Sequence, residues 1–159
     1  MKHNAWILVS DASRAVLLRT KEKDKPGFNV VGRFDHPDSR AHARDLTTDT
    51  SGRKPVGPPP AARVGSHGAS GRPGAEPETA AKEVEAQRFA RELADVLERG
   101  LAAHEYEELM LVAPPHFLGV LKGSVSEQVS KHIHSTVDKD YTSLELSDLE
   151  ERLYQKLIG

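Results

Sequence analysis

The run Ala5-Trp6-Ile7-Leu8-Val9, which ends at Ser10-Asp11, decides the fold class of this chain. Continuous rather than alternating apolarity predicts a strand that is covered on both faces. A second run of the same kind, Leu109-Met110-Leu111-Val112-Ala113, lies far along the chain. We expect these two strands, the most apolar of the chain, to be parallel neighbours at the centre of a sheet. An α/β fold follows, because parallel neighbours need a crossover between them.

Three further strands surround this pair. A turn at residues 11–13 leads into a strand from Arg14 to Thr20, and Pro26-Gly27 precedes a less buried strand from Phe28 to Phe34. The short links predict an antiparallel meander of the first three strands. The stretch from Ile133 to Asp138 is predicted to be the last strand.

Three helices are predicted from apolar residues that recur at helical spacing. The first covers the segment from Thr79 to Gly100, with Gly100 as the C′ residue that ends it. Its apolar stripe is Val84, Ala86, Phe89, Ala90, Leu93, Ala94, Val96 and Leu97. The second follows Pro114-Pro115 and carries Phe117, Leu121, Val125 and Val129. The capping box at residues 147–150 starts the third, whose apolar face is Leu149, Leu153, Leu157 and Ile158.

The resulting order is three strands, a long loop, then helix, strand, helix, strand, helix. We predict a single three-layer domain over residues 1–159, with helices on both faces of a mixed five-stranded sheet. The predicted strand order is 3-2-1-4-5 with strand 2 antiparallel, which is the strand logic of an RNase H-like fold.

Composition excludes several classes of function. The 159 residues include no cysteine, so disulfides and thiolate chemistry are excluded. Residues 1–25 contain neither a membrane-spanning run nor a signal-peptide pattern, so we expect a cytoplasmic protein without a membrane partner. Charge is asymmetric: residues 1–75 hold 13 Lys/Arg and 7 Asp/Glu, whereas residues 76–159 hold 9 and 17. This asymmetry fits either a basic working face on an acidic scaffold or acidic helices that are simply solvated.

The segment at about 37–78 is rich in glycine, proline and arginine. We expect its first part, His36 to Arg53, to be ordered by Asp–Arg pairs, and Lys54 to Gly74 to lack regular structure. Such a basic, glycine-rich chain suits phosphate contact, although a solubilising loop or an oligomer contact would fit as well. The oligomeric state therefore stays open. The candidate binding residues of the segment are Arg40, Arg44, Arg53, Lys54, Arg63, His67 and Arg72.

Residues that could carry catalysis or hold a metal are sparse. Asp11 ends the first strand, but no acid follows the fourth strand at Ala113-Pro114, so we predict that Asp11 caps a turn and binds no metal. His132 and His134 are placed on one face of an edge strand without a third ligand nearby. His116 is expected in the first turn of the helix after the fourth strand, where free N–H groups favour anions, and it joins the candidate binding residues. No metal and no cofactor is predicted.

Several segments together resemble one family. They are residues 6–15, the stretch His36-Pro37-Asp38-Ser39-Arg40, residues 45–49 with Gly52-Arg53, Phe89-Ala90 with Glu92-Leu93, the stretch Leu111-Val112-Ala113-Pro114-Pro115-His116-Phe117-Leu118-Gly119, and residues 138–142. The chain resembles the bacterial host attachment protein family, also described as a bacterial branch of the archaeo-eukaryotic release factors. The resemblance implies the fold of the central domain of release factor and Pelota proteins, whose Gly-Gly-Gln loop enters the peptidyl-transferase centre.

This chain departs from the release-factor pattern at that loop. Its nearest match is Gly65-Ser66-His67-Gly68-Ala69, and residues 37–78 contain no glutamine. We therefore favour a non-catalytic binding factor that acts on the ribosome or a structured RNA. Two alternatives stay open: a hydrolase of peptidyl-tRNA or a similar ester, and an adhesion-linked protein with an indirect role.

Overall fold

The computed structural model describes residues 4–22, 27–36 and 76–158. Within these ranges the chain forms five strands and four helices. The strands are β1 (Ala5–Ser10), β2 (Arg14–Thr20), β3 (Phe28–Asp35), β4 (Glu108–Val112) and β5 (Ile133–Val137). The helices are α1 (Glu76–Ala102), α2 (Pro115–Ser124), α3 (Glu127–Lys131) and α4 (Leu146–Ile158).

The strands form one mixed sheet in the order β3-β2-β1-β4-β5, as predicted. β1 pairs with β2 antiparallel, with Leu8 opposite Leu17, and with β4 parallel, with Leu8 opposite Leu111. β2 pairs with β3 antiparallel and β4 with β5 parallel. The prediction of a single α/β domain with strand 2 antiparallel is confirmed.

Each face of the sheet carries its own hydrophobic core. On one face, Leu8, Leu17 and Leu111 pack with Phe89 of α1 and Phe117 of α2. On the other face, Ile7, Leu18 and Met110 pack with Leu149 and Leu153 of α4. Every residue of β1 is buried, which is why its sequence is apolar throughout rather than alternating.

The stripe predicted on α1 is confirmed except at Val84, which is 45% exposed. Its buried members include Ala86, Phe89, Ala90, Leu93 and Leu97. Val84 lies two residues before Ala86, about 200° around the helix, so it faces away from the sheet.

The end of α1 differs from the prediction at Gly100, which lies inside the helix. The helix continues to Ala102, and His104, at φ 57°, takes the left-handed position beyond it. The amide of Glu105 donates to Gly100 O and that of His104 to Leu101 O, which is a Schellman motif. Gly100 is needed instead for close packing, because a Cβ there would lie 2.3 Å from the Trp6 ring.

The single helix predicted after Pro115 is two helices. Val125 is extended, with ψ 154°, and ends α2. Ser126 then starts α3, because its hydroxyl accepts a hydrogen bond from the amide of Val129 at 3.1 Å. Val129 is nevertheless buried, so the apolar spacing correctly predicted a core residue although it did not predict the break between the two helices.

The predicted capping box does not start α4. The helix begins at Leu146, one residue earlier, and the amide of Leu149 donates to Glu145 O. Glu150 does not act within the helix either, since its Oε1 accepts a hydrogen bond from the Phe28 amide at 2.9 Å. The Glu150 carboxylate, which a capping box would use within the helix, is instead bonded to the start of β3.

Of the two histidines that we predicted on the last strand, only His134 lies on it, because the strand begins after His132. His132 ends α3, and its Nδ1 donates to Glu107 O at 2.8 Å, whereas β5 begins at Ile133. The register between β4 and β5 then shifts at Leu109/Met110. The shared face that we predicted for His132 and His134 was therefore wrong.

Residues 37–75 lie outside the described ranges, as do both predictions about order within that segment. Among the described helices, none combines the length and apolarity that crossing a membrane requires.

Candidate functional site

Four strands end at the same edge of the sheet. β1, β3, β4 and β5 run in one direction, because β2 is antiparallel to both β1 and β3. We call this the carboxyl edge and define it by Asp11, His36, Ala113-Pro114 and Asp138, the residues that follow these strands. Ligands of open α/β sheets usually bind at such an edge, which makes it the candidate site.

Asp11 holds the turn between β1 and β2. Its Oδ1 accepts hydrogen bonds from the amides of Ser13 at 2.7 Å and Arg14 at 2.8 Å. Its Oδ2 lies 3.5 Å from Arg14 Nε. The predicted role of Asp11 as a turn cap is confirmed.

Thr142 joins this turn to the segment after β5, a contact that the sequence did not reveal. Its hydroxyl lies 3.0 Å from Asp11 Oδ2 and 2.6 Å from Asp140 Oδ1. A hydroxyl has one proton, so it donates to only one of these carboxylates at a time. Thr142 and Asp11 are 131 positions apart in the sequence, so no local motif predicts their contact.

His36 is buried where the chain leaves β3. Its amide donates to Ser13 O at 2.7 Å, and its Nε2 lies 2.7 Å from Glu85 Oε2 on α1. The second carboxylate oxygen of Glu85 accepts from Arg88 at 3.0 Å. The imidazole also stacks on Phe89, with ring centroids 5.4 Å apart.

The partner of His36 could not be identified from the sequence. Glu85 stands beside apolar Ala86 on the stripe of α1, and a glutamate in such a place is a weak signal. The pair fixes the first point of the 37–75 segment to the body of the domain.

His116 occupies the first turn of α2 at the carboxyl edge, as predicted. Its side chain is 71% exposed, and its Nε2 lies 2.5 Å from Glu83 Oε1. Because Glu83 and Glu85 both belong to α1, His116 and His36 lie on the same side of the sheet. A carboxylate already engages the imidazole, so an anion at this helix start would have to displace or bridge it.

The structure brings one predicted binding residue, His116, to the carboxyl edge. The others lie outside the described residues: Arg40, Arg44, Arg53, Lys54, Arg63, His67 and Arg72. Across the ranges 4–22, 27–36 and 76–158, no three His, Asp or Glu side chains are grouped so as to hold a metal ion.

Comparison with protein families gives one match. The model of a family described as "Protein required for attachment to host cells" matches residues 6–153. No curated protein sequence matches the chain at a significant level.

Proposed function

Because this chain belongs to the family of proteins required for attachment to host cells, we propose that it is a non-catalytic binding factor. Its target is the ribosome or a structured RNA in the cytoplasm, and its contact region is the basic segment at about 37–78. The attachment phenotype in the family description would then be an indirect consequence of binding inside the cell.

The position of the segment's two ends is the observation that carries the proposal. The chain leaves the domain at His36, which is anchored to Glu85. It returns into α1, whose early residue Glu83 contacts His116 at the start of α2. His36 and Glu83, which lies about two turns into α1, are therefore both at the carboxyl edge, and a target bound by the segment would meet this edge as well.

The charge of the segment supports a polyanionic target. Residues 37–75 hold six Lys/Arg and three Asp, in a chain whose total charge is −2. Lysine and arginine that neutralise phosphates release counterions, so this binding would weaken steeply with salt.

The described polar side chains of the edge support binding over catalysis. Asp11 caps a turn, His36 is buried against Glu85, and His116 is paired with Glu83. None of these three side chains is a nucleophile placed beside a base, although the Thr142 hydroxyl does lie within hydrogen-bond distance of the Asp11 and Asp140 carboxylates. The segment also lacks the Gly-Gly-Gln sequence on which release factors depend.

Co-sedimentation with purified ribosomes at about 50 and 200 mM salt tests the proposal. We expect the wild type to pellet with ribosomes at the lower salt and to be released at the higher. The triple variant Arg53→Ala, Arg63→Ala, Arg72→Ala should bind less and show a flatter salt dependence. The log–log slope should fall by about 0.7–0.9 for each phosphate that the variant no longer neutralises.

A matched control removes three cations from exposed sites on the described helices: Arg91→Ala, Lys122→Ala, Lys131→Ala. It should bind like the wild type despite the same change in net charge. Equal loss in both triple variants would refute a specific contact region. Hydrolysis of peptidyl-tRNA by the wild type would refute the non-catalytic assignment.

A further inference from the structure

We propose that a cavity on the α4 face of the sheet binds a small organic anion, with a carboxylate or phosphate head and a short apolar body. The cavity has a volume of about 290 Å³ and lies between the β2–β3 ladder and residues 141–149. Small-molecule pockets start at about 300 Å³, so one ring or a short chain fits here and a polymer does not.

The cavity lies on the opposite face of the sheet from His36 and His116, while Arg14 and Thr142 of its lining contact Asp11 at the carboxyl edge. His36 and His116 both contact α1, which covers the opposite face of the sheet. The cavity is covered instead by the start of α4, through Leu146 and Leu149. Binding in the cavity therefore does not depend on the proposed function.

Strand register places two arginines on this face. Arg14 is opposite Asp35, and Val16 is opposite Arg33, in the antiparallel pair of β2 and β3. Residues two apart on a strand share a face, so Arg14 and Arg33 are diagonal neighbours, about 7–8 Å apart. At that distance both guanidinium groups can reach one anionic head.

The balance of charge in the cavity favours an anion. The charged residues of the lining are Arg14, Arg33 and Asp35, two cations and one acid, and Arg14 also pairs with Asp11 outside the lining. Arg33 has no ion pair with any residue in the described ranges. A bound carboxylate or phosphate would give this exposed guanidinium the bidentate partner that it suits.

The rest of the lining is apolar and partly open to solvent. Its apolar lining residues include Val16, Leu144, Leu146 and Tyr141. Leu146 is 36% exposed, although it is a large hydrophobic residue. Arg152 lies over the Tyr141 ring, 5.7 Å from its centroid, and helps to hold that ring in place. The two arginines would bind the anionic head of the ligand, and the apolar lining residues would contact its short apolar body.

Titration calorimetry with hexyl phosphate, hexanoate and hexanol on the intact protein tests the proposal. We expect both anions to bind and hexanol to bind at least about tenfold more weakly, since hydrogen bonds to charged groups are stronger than those to neutral groups. The ratio of the two anions' affinities assigns the head as phosphate or carboxylate. Inorganic phosphate should bind more weakly than hexyl phosphate.

Two variants and a control locate the site. Arg33→Gln should weaken hexyl phosphate about tenfold, and Leu146→Trp, which fills the cavity mouth, should weaken all three ligands. Arg91→Gln on exposed α1 removes the same charge from the other side of the sheet and should bind like the wild type. Circular dichroism identifies any variant that has not folded, in which case methyl shifts of Leu144 and Leu146 in the wild type provide the readout.

Three results would overturn the proposal. They are equal binding of hexanol and hexyl phosphate, equal loss in Arg33→Gln and Arg91→Gln, and no methyl shift at millimolar ligand.

Discussion

The imidazole of His36 and the carboxylate of Glu85 form a buried pair, Nε2 to Oε2 2.7 Å, that joins the end of β3 to the middle of α1. Both side chains are more than nine-tenths buried. A buried carboxylate must be hydrogen-bonded, and Glu85 achieves this with His36 on one oxygen and Arg88 on the other. The pair therefore orders the chain where the basic segment begins.

Replacing one partner should be costly. We expect Glu85→Ala to lower the free energy of unfolding by about 3 kcal/mol, because the buried His36 imidazole loses its partner at 2.7 Å. His36→Ala should cost less, because Glu85 keeps its hydrogen bond from Arg88. The double variant His36→Phe, Glu85→Leu should recover much of that loss. Urea denaturation measures these changes. The exposed pair of Glu83 and His116 is the control, and its disruption should cost less than about 1 kcal/mol.

The contact between Asp11 and Thr142 should appear as a coupling energy. Asp11→Ala removes a turn cap, so we expect a loss of about 1–2 kcal/mol, and Thr142→Val removes the hydroxyl at nearly constant shape. The double variant should deviate from additivity by about 1 kcal/mol. Pairing Asp11→Ala with Thr136→Val, on the exposed edge strand, should give additive losses in the same urea series. Additivity in both cycles would contradict the contact.

Gly100 and Gly119 offer a matched pair of helical glycines with opposite expectations. A Cβ at Gly100 would meet the Trp6 ring at 2.3 and 2.4 Å, whereas one at Gly119 would meet nothing within 4 Å. Gly100→Ala should therefore destabilise the protein by about 1–3 kcal/mol through overpacking. Gly119→Ala should stabilise it by up to about 1 kcal/mol through helix propensity. Thermal denaturation distinguishes the two, and stabilisation by Gly100→Ala would refute the packing argument.

Stability should fall at high pH because of Tyr106. Burial raises the pKa of its hydroxyl well above the usual range, with a smaller contribution from the charge of Glu98. The unfolded chain loses this proton near pH 10 while the folded chain keeps it, so the group's stabilisation is lost as pH rises above about 10. The expected slope approaches 1.4 kcal/mol per pH unit.

Urea denaturation between pH 9 and 11 measures that slope. Tyr106→Phe should remove it and also lower stability at pH 8, because the hydroxyl donates to Leu97 O at 2.7 Å. Tyr154→Phe, at a residue 45% exposed, should leave the slope in place. An unchanged slope in Tyr106→Phe would assign the effect to other groups.

His104 should be a position after α1 where glycine stabilises the protein. It has φ 57°, and the left-handed region costs a non-glycine residue about 1–2 kcal/mol. We expect His104→Gly to raise the free energy of unfolding by up to about 1 kcal/mol, since glycine also loses more backbone entropy. Ala102→Gly, at the last residue of the helix, should lower it instead. A loss in both variants would show that His104 contributes more through its side chain than its backbone costs.

The sequence by itself determined the sheet. The runs at residues 5–9 and 109–113 are apolar at every position, and at this short length the pattern is typical of strands covered on both faces. The helix predicted between them favoured a parallel crossover, and the short links at residues 11–13 and 21–27 favoured a meander; the strand order predicted on this basis is the one that the structure has. The turn role of Asp11 was also predictable, because its capping bonds reach only two and three residues along the chain. The binding role of the basic residues in the 37–75 segment stays a prediction.

Only the tertiary structure decided the side-chain partners at long range. Glu150 fits a capping box by sequence, but the amide of Phe28 at the start of β3 takes its carboxylate. Gly100 fits a helix end by sequence, but it lies within the helix, where the Trp6 ring leaves no room for a Cβ. Local sequence patterns also do not reveal the contacts of Glu85 with His36 and of Thr142 with Asp11, or the position of Arg33 beside β2. Periodicity reports which face of an element is buried, whereas the group that meets a given side chain depends on how whole elements pack, and that is a property of the folded chain.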